Sequence, residues 1–250
     1  MLSGADVIAC EDTRLTGKLL SLLGLSAPLT PYHDHNADQA RPALLARMRE
    51  GQAVALVSDA GTPLVSDPGY RLVAEALAAG AAIWPIPGPS AALAALSVAG
   101  LPTDRFLFAG FPPPKSGGRR QLFAELAPVR STLIFFEGAQ RLGASLADMA
   151  AVFGPRPAAV ARELTKLHET LVRGDLATLA ADPTLAAPKG EVVVVVGPGA
   201  EPVAEAGDAE AALTEALTRL SPADAAREVA GALGLPRREL YRQALGLKAR

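Results

Sequence analysis

The stretch LVSDAGTPLVSDPG, residues 56–69, decides the fold class. A short apolar segment runs here into a loop of glycines, prolines and small polar residues that includes two aspartates. The glycines permit backbone conformations and close approaches that a Cβ would forbid, and the prolines fix φ and stiffen the loop. A second loop of the same character, PIPGPS at 85–90, follows another apolar segment. Because ligands of open α/β sheets bind at the carboxyl ends of the strands, the two loops together predict a shared ligand site, although either loop alone is equally explained as a tight turn.

Length and composition are typical of a globular protein. The chain has 250 residues, 50% of them hydrophobic, which is enough for a substantial core in one large domain or two smaller ones. No apolar run approaches the ~20 residues that span a bilayer, and the amino terminus lacks the basic and apolar regions of a signal peptide, so we expect a cytoplasmic protein. The net charge of −2 provides no overall field for nucleic acid, so RNA binding would require a local basic patch or recognition of shape.

Cysteine and histidine usage argues against disulfides and metal sites. Cys10 is the only cysteine, which excludes an internal disulfide and a multi-cysteine metal site, and its apolar neighbours predict a core position. His33 and His35 flank Asp34, but the next histidine is His168. We therefore expect no metal site.

Strands and helices alternate along the chain. Six apolar segments are predicted as strands, and helical patterns that commonly stop at glycine separate them. The predicted strands are residues 7–10, 53–57, 82–84, 132–136, 158–162 and 192–196. This alternation predicts an α/β fold with largely parallel sheets. The unbroken run of five valines from Val192 predicts a strand that is covered on both faces.

The segment FPPPKSGGRR at 111–120 interrupts the pattern with prolines, glycines and positive charges. We interpret it as a boundary, with an amino-terminal α/β lobe at 1–110, a linker at 111–118 and a carboxyl-terminal α/β lobe at 119–200. A polar stretch then leads into a helical tail at 208–250. SPAD, beginning at Ser221, predicts a helix start there, with a capping serine, proline in the first helical position and an acid three residues after the cap.

Seven motifs occur in order along the chain. They are ACEDTR at 9–14, HDHN at 33–36, VSDAGTPLVSDPG at 57–69, PIPGPSA at 85–91, AGLPTDRFLFAGFPPPK at 99–115, ARELTK at 161–166 and KGE at 189–191. From its first residues to its tail, the chain closely resembles the small-subunit ribosomal RNA methyltransferases of the tetrapyrrole methylase superfamily. The resemblance implies a two-lobed α/β protein, commonly a homodimer, that binds S-adenosylmethionine between its lobes. It also implies methylation of a cytidine ribose 2′-oxygen in small-subunit (16S) ribosomal RNA.

The resemblance further implies a cofactor pocket formed by the two loops of the first lobe and closed by the second lobe. The implied residues are Asp59, Ala60, Gly61, Thr62, Pro63, Gly88, Ser90, Ala91, Phe136 and Glu137, with Leu164 and Gly190 placed by motif position only. Transfer of a methyl group from sulfonium to oxygen needs reactants aligned at ~3 Å, and much of the rate comes from this positioning. The reaction needs no metal.

A ribose hydroxyl is a poor nucleophile until its proton is removed, so the reaction predicts a nearby base. The candidate catalytic carboxylates are Asp59, Glu137, Glu163 and Glu191. Glu137 is the favoured hypothesis because it follows an apolar strand and would project at the carboxyl end of that strand. The alternative is that Glu137 pairs with Arg141, one helical turn later.

By the same resemblance, the EDTR and HDHN motifs form the RNA-facing side of the cleft. The expected RNA contacts there are Arg14, His33, His35 and Asn36, and they extend to Lys115, Arg119 and Arg120. A solvated charged loop is the alternative for the last three. The tail is implied to bind RNA through Arg237 and Arg238, although its spacing alone indicates only an amphipathic helical pair.

The sequence departs from the family pattern in two places. Family members begin with one more strand and a TPIGN-like loop, and this chain starts after them, so we expect a gap or an unpaired edge in the first sheet. Either the natural start lies upstream or the protein is impaired. EGAQR at 137–141 also lacks the serine, the proline or threonine, and the histidine usual between its glutamate and arginine. Two alternative functions therefore stay open: methylation of a tetrapyrrole precursor, and RNA binding without catalysis.

Overall fold

A computed structural model describes residues 1–199, 206–233 and 235–248. The chain divides into two compact units, residues 1–125 with 132–197, and residues 126–131 with the chain from 198 onward. The strands of the described residues are β1 (Val7–Cys10), β2 (Leu29–Pro31), β3 (Val54–Val57), β4 (Phe106–Phe108), β5 (Thr132–Gly138), β6 (Pro157–Arg162), β7 (Thr170–Asp175) and β8 (Glu191–Val196). The helices of the described residues are α1 (Thr13–Leu22), α2 (Ala37–Arg49), α3 (Tyr70–Ala78), α4 (Ala91–Ala99), α5 (Ser116–Leu126), α6 (Leu142–Phe153), α7 (Leu176–Ala181), α8 (Ala206–Leu217), α9 (Pro222–Leu233) and α10 (Arg237–Lys248). None of these helices is long and apolar enough to cross a bilayer.

The first sheet is parallel, with strand order β2-β1-β3. The central strand β1 is completely buried, Cys10 included, as its apolar sequence predicts. Val7 and Ala9 pack with Tyr32, Leu44 and other buried residues of α2 and α3. Because parallel strands end at the same edge, the EDTR motif, the HDHN motif and the loop at 58–69 all begin at one edge of this sheet.

The second sheet has the order β4-β5-β8-β6-β7. α4 covers one face and contacts Ile134, Ala159 and Val193. The other face carries Phe135 of β5, whose ring packs 5.5 Å from that of Phe123 in α5. All five valines of β8 are buried between β5 and β6, as predicted.

The predicted α/β class is confirmed, and so are five of the six predicted strands. The expected parallel pairing holds for the first sheet, but in the second sheet only β4 and β5 are parallel, and the other pairings are antiparallel. The prediction of a strand at 82–84 is wrong. β3 is an edge strand of the first sheet, no described strand pairs with residues 82–84, and Trp84 is 77% exposed. Three strands have no distinct signal in the sequence: β2 and β4 are only three residues long, and β7 contains polar and charged residues.

Sheet membership changes before the predicted linker at 111–118. β4 already pairs with β5, and α4 already packs on the second sheet. The chain therefore passes from the first sheet to the second between β3 and β4. Residues 1–110 and 119–197 fall mostly within a single compact unit, so a division into lobes at the predicted linker stays a prediction.

The second unit contains α8, α9 and α10, which share a core. Leu213, Val229 and Leu240 are buried in it, one from each helix. α9 begins as SPAD predicts: the Asp224 backbone N–H donates to Ser221 Oγ at 3.3 Å, and this hydroxyl donates to the Asp224 carboxylate at 2.6 Å. Residues 200–205 of the predicted polar stretch lie outside the described residues.

Candidate active site

The loop after β3 presents its backbone to solvent. Asp59, Ala60 and Gly61 are exposed, and the Ser58 hydroxyl holds the turn by donating to the Ala60 carbonyl at 2.7 Å. Gly61 has a φ of 75°, and further along the loop two non-glycine residues, Leu64 and Ser66, also have positive φ. Such conformations cost free energy and persist only where surrounding contacts impose them.

A hydrogen bond joins the two loops that the sequence singled out. Thr62 Oγ1 donates to the Pro89 carbonyl at 2.8 Å. The next residue, Ser90, caps α4, and its hydroxyl accepts from the Leu93 backbone N–H at 3.4 Å. The structure therefore joins the loop at 58–69, through Thr62, to the loop that leads into α4. A ligand shared by the two loops stays a prediction.

Because α4 packs on the second sheet, its amino terminus lies at that sheet. At the other end of the helix, the Arg173 guanidinium of β7 donates to the carbonyls of Val98 and Ala99. Phe136 and Leu164, at the carboxyl ends of β5 and β6, pack against the core that α4 forms with the second sheet. The loops at 58–69 and 85–90 therefore face the edge of the second sheet at which β5 and β6 end.

Gly190 lies at this same edge, because β8 runs antiparallel to β5 and β6. Its φ is 95°, and a Cβ here would lie 2.4 Å from Glu163 Oε1. That oxygen accepts a hydrogen bond from the Glu191 backbone N–H at 2.8 Å and lies 3.2 Å from Lys166 Nζ. Both interactions lower the pKa of Glu163, the backbone N–H being the larger cause. The carboxylate of Glu163 therefore holds the ends of β6 and β8 together.

Glu137 does not lie where the favoured hypothesis puts a general base. Side chains alternate along a strand, so Glu137 shares a face with Phe135, opposite the face on which Phe136 meets α4. Its side chain is completely buried, and Oε1 lies 2.7 Å from the Arg141 guanidinium. The pairing with Arg141 is therefore the correct alternative, because burial and the ion pair keep this carboxylate from an external substrate.

A carboxyl pair was missed by the sequence analysis. Glu11 follows β1 and Asp67 follows β3, and these strands are neighbours with Cys10 opposite Val57. The pKa of Glu11 is raised, first by burial and then by the charge of Asp67 and a hydrogen bond with it. The order of the motifs could have predicted this pair, because Glu11 and Asp67 each lie in a motif that follows one of two adjacent parallel strands.

The EDTR and HDHN motifs contain local hydrogen bonds. The exposed Arg14 lies 2.6 Å from Asp12, and hydrogen bonds from Arg14 lower the pKa of Asp12 to about 2. Asn36 accepts from the His33 backbone N–H at 2.8 Å and donates to the Pro31 carbonyl at 2.9 Å, so its side chain fixes the turn before α2. His35 is exposed and Arg14 carries its cation at the surface, which leaves these two best suited to reach RNA.

The basic segment before and within α5 divides into exposed and buried residues. Lys115 and Arg120 are exposed. The Arg119 side chain is buried, lies 2.7 Å from Asp148 and donates to the Pro114 carbonyl at 2.8 Å. The prediction that Arg119 contacts RNA is therefore wrong, because its guanidinium is used inside the protein. In the second unit, Arg237 and Arg238 are exposed on α10, as an RNA contact requires.

Comparison with known proteins assigns the chain to a family. Residues 1–180 match the family model for tetrapyrrole (corrin/porphyrin) methylases, and residues 203–248 match that for the RsmI C-terminal HTH domain. The chain belongs to the tetrapyrrole methylase family. It is 50% identical over 250 residues to the ribosomal RNA small subunit methyltransferase I of Mesorhizobium japonicum, covering 99% of this chain and 85% of that protein.

Two further comparisons agree with this assignment. The chain is 45% identical to the protein of the same name from Escherichia coli O157:H7, over 98% of this chain and 87% of that protein. Among solved structures it is similar to the uroporphyrin-III-C-methyltransferase of Thermus thermophilus, with a TM-score of 0.53, 25% identity and coverage of 78% and 84% of the two chains.

Proposed function

We propose that this protein transfers a methyl group from S-adenosylmethionine to the 2′-oxygen of a cytidine ribose in the RNA of the small ribosomal subunit. The observation that carries the proposal is the match along nearly the whole chain, including the carboxyl-terminal unit, to methyltransferases named for small-subunit ribosomal RNA. The protein is a ribosomal RNA methyltransferase that depends on S-adenosylmethionine. The cytidine and the ribose oxygen are the finer part of the proposal.

The residues of the two joined loops suit this cofactor. The exposed backbone around Ala60, Gly61 and Gly88 offers donors and acceptors, and a Cβ on Gly88 would approach no atom closer than 4.0 Å. When bound, S-adenosylmethionine supplies a methyl group from its positively charged sulfur. The rest of the cofactor leaves as S-adenosylhomocysteine. We assign its binding to Asp59, Ala60, Gly61, Pro63, Gly88, Ser90, Ala91, Phe136, Leu164 and Gly190, with Thr62 holding the two loops together.

Asp59 is the carboxylate best suited to take the proton of the ribose hydroxyl. It is exposed in the loop that faces the proposed cofactor site, whereas Glu137 is buried in an ion pair and Glu163 is hydrogen-bonded to the backbone. Glu191, the fourth candidate, lies 2.8 Å from Lys166 in an ion pair. A base must lie within hydrogen-bond reach of the proton that it removes, and the exposed side chain of Asp59 is accessible to a ribose bound at this loop. The role of Asp59 is to accept this proton as the methyl group moves to the oxygen.

The RNA is proposed to contact exposed basic and polar side chains that each unit carries. The cations Arg14, Lys115 and Arg120 and the imidazole of His35 lie in the first unit, and Arg237 and Arg238 lie on α10 of the second. Such residues position nucleic acid through its phosphates, even though the net charge of the chain is −2. We further propose that the protein works as a homodimer in the cytoplasm, on assembled or nearly assembled small subunits.

Methyl transfer to small subunits from cells lacking this activity tests the proposal. Labelled S-adenosylmethionine provides the methyl group, and nuclease digestion with mass spectrometry locates the modified nucleotide. The proposal requires label on a cytidine ribose, and label on a base contradicts the ribose assignment. Uroporphyrinogen III serves as a second acceptor, because label on it alone would favour tetrapyrrole methylation. RNA binding without transfer to either acceptor would favour a catalytically silent RNA-binding protein.

A further inference from the structure

An exposed aromatic ring lies beside the proposed active site. Phe111 is 55% exposed, although large apolar side chains are usually buried. Its ring centroid lies 5.5 Å from that of Phe136, with the rings inclined at 62°, and the Phe136 ring lies 4.8 Å from that of Phe108. These three residues, Phe108, Phe111 and Phe136, form an aromatic step whose outermost ring is open to solvent.

The backbone on both sides of Phe111 is held in place. Before it, Gly110 accepts a hydrogen bond from the Phe136 backbone N–H at 2.9 Å and turns the chain with a φ of 65°. After it come three prolines, and the carbonyl of the last, Pro114, accepts from the buried Arg119 at 2.8 Å. The ring is therefore presented by a stiff segment, so little conformational entropy is lost when a ligand contacts it.

The aromatic step is next to the loop that we assign to the cofactor. A Cβ on Gly110 would lie 3.4 Å from Ser66 Oγ, so Gly110 lies close to that loop. Beyond the prolines, Lys115 and Arg120 expose two cations on the same segment of chain. An aromatic face near cations matches the way proteins hold unpaired RNA, where bases stack on rings and phosphates meet Lys or Arg.

We propose that Phe111 stacks on a base of the RNA strand that is methylated, with Lys115 and Arg120 contacting the neighbouring phosphates. This inference rests on the proposed function and adds the element that holds the unpaired nucleotide at the cofactor. RNA is favoured over the adenine of the cofactor because the cations that follow Phe111 suit a strand with several phosphates, which S-adenosylmethionine lacks. Stacking on any base also explains why the segment displays a plain phenyl ring, since every base has a π-face.

Four variants test the role of the ring. Phe111→Ala removes it, Phe111→Leu keeps an apolar side chain without a flat π-face, and Phe111→Trp keeps a flat face. Phe106→Ala is the matched control, because Phe106 is 45% exposed at the opposite end of β4. Small subunits from cells lacking this activity, whose RNA is unmodified, are the probe, and their affinity for the protein is measured at about 0.15 M salt beside S-adenosylmethionine affinity and thermal unfolding.

We expect about tenfold weaker RNA binding for Phe111→Ala and Phe111→Leu, and near-normal binding for Phe111→Trp and Phe106→Ala. S-adenosylmethionine affinity and the midpoint of thermal unfolding should stay unchanged in all four. Normal RNA binding by Phe111→Ala overturns the inference, as does a loss confined to S-adenosylmethionine, which would assign the ring to the cofactor. Near-normal RNA binding by Phe111→Leu would make the role of Phe111 structural and overturn the inference. A lowered unfolding midpoint that accounts for the weaker RNA binding would do the same. Failure of the wild type to transfer methyl overturns the proposed function instead, while the RNA titrations still decide the role of Phe111.

Discussion

The hydroxyl of Thr62 donates to the carbonyl of Pro89 at 2.8 Å and joins two loops that are far apart in sequence. One loop follows a strand of the first sheet, and the other leads into the helix that covers the second sheet. This bond holds two segments that are rich in glycine and proline next to each other, so that they form one surface. It is the most direct structural support for a single ligand at both loops.

Thr62→Val should weaken S-adenosylmethionine binding about three- to tenfold, because the lost hydrogen bond lets the two loops separate. Isothermal titration of the cofactor measures the change. Thr62→Ser is the matched control and should bind normally, since it keeps the hydroxyl. Equal affinity of Thr62→Val and the wild type would show that the bond does not organise the site.

Gly190→Ala should destabilise the protein by about 2 kcal/mol or more, because the new Cβ meets Glu163 and the φ of 95° is strained for alanine. Gly51→Ala separates the two causes, since Gly51 has a φ of 80° but no atom within 4 Å of the added Cβ. We expect Gly51→Ala to lower the free energy of unfolding, measured in urea, by about half as much as Gly190→Ala does. Equal losses for both variants would mean that contact with Glu163 contributes nothing.

Glu11→Gln should stabilise the protein at neutral pH and have no effect in acid. The pKa of Glu11 is raised in the folded state, by burial and by Asp67, so the folded state disfavours the ionised form. The wild type therefore loses stability as pH rises from the ordinary value of 4.5 through the raised pKa, and the glutamine variant does not. Unfolding in urea at pH 4 and pH 7.5 checks this, with the exposed Glu50→Gln as the control. A stabilisation of the same size at both pH values would contradict it.

Glu137→Gln and Asp59→Asn should have opposite effects on stability and turnover. The first weakens the buried pair with Arg141 and should cost about 1–3 kcal/mol of stability while methyl transfer continues. The second removes the proposed base from an exposed loop and should lower kcat about 100-fold with little change in stability. Single-turnover methyl transfer and urea unfolding of both variants give the comparison. Loss of turnover in well-folded Glu137→Gln would restore the original hypothesis.

Replacing Arg237 and Arg238 by alanine should weaken RNA binding and reduce the slope of log affinity against log salt by about 1.5, which is about 0.7–0.9 for each lost phosphate contact. S-adenosylmethionine affinity should not change. The control replaces Arg219 and Arg227, which form ion pairs with Glu228 and Asp224 within the same unit. Its RNA affinity should stay near that of the wild type, because those charges are already compensated. A similar loss in both double variants would indicate a general effect of charge or stability.

Several elements could be predicted from the sequence because their signals are local. β1 and β8 are unbroken apolar runs, the loop after β3 is made of glycines, prolines and small polar residues typical of a tight turn, and Ser221 caps a helix through bonds within four residues. Only the tertiary structure decided how these elements meet. The antiparallel pairing of β5 with β8, the place of β4 in the second sheet and the burial of Glu137 and Arg119 against Arg141 and Asp148 depend on partners chosen by packing. A charged residue beside a predicted strand looks the same in sequence whether it faces a substrate or an ion-pair partner, because the face that it occupies is set by the neighbouring strands and helices.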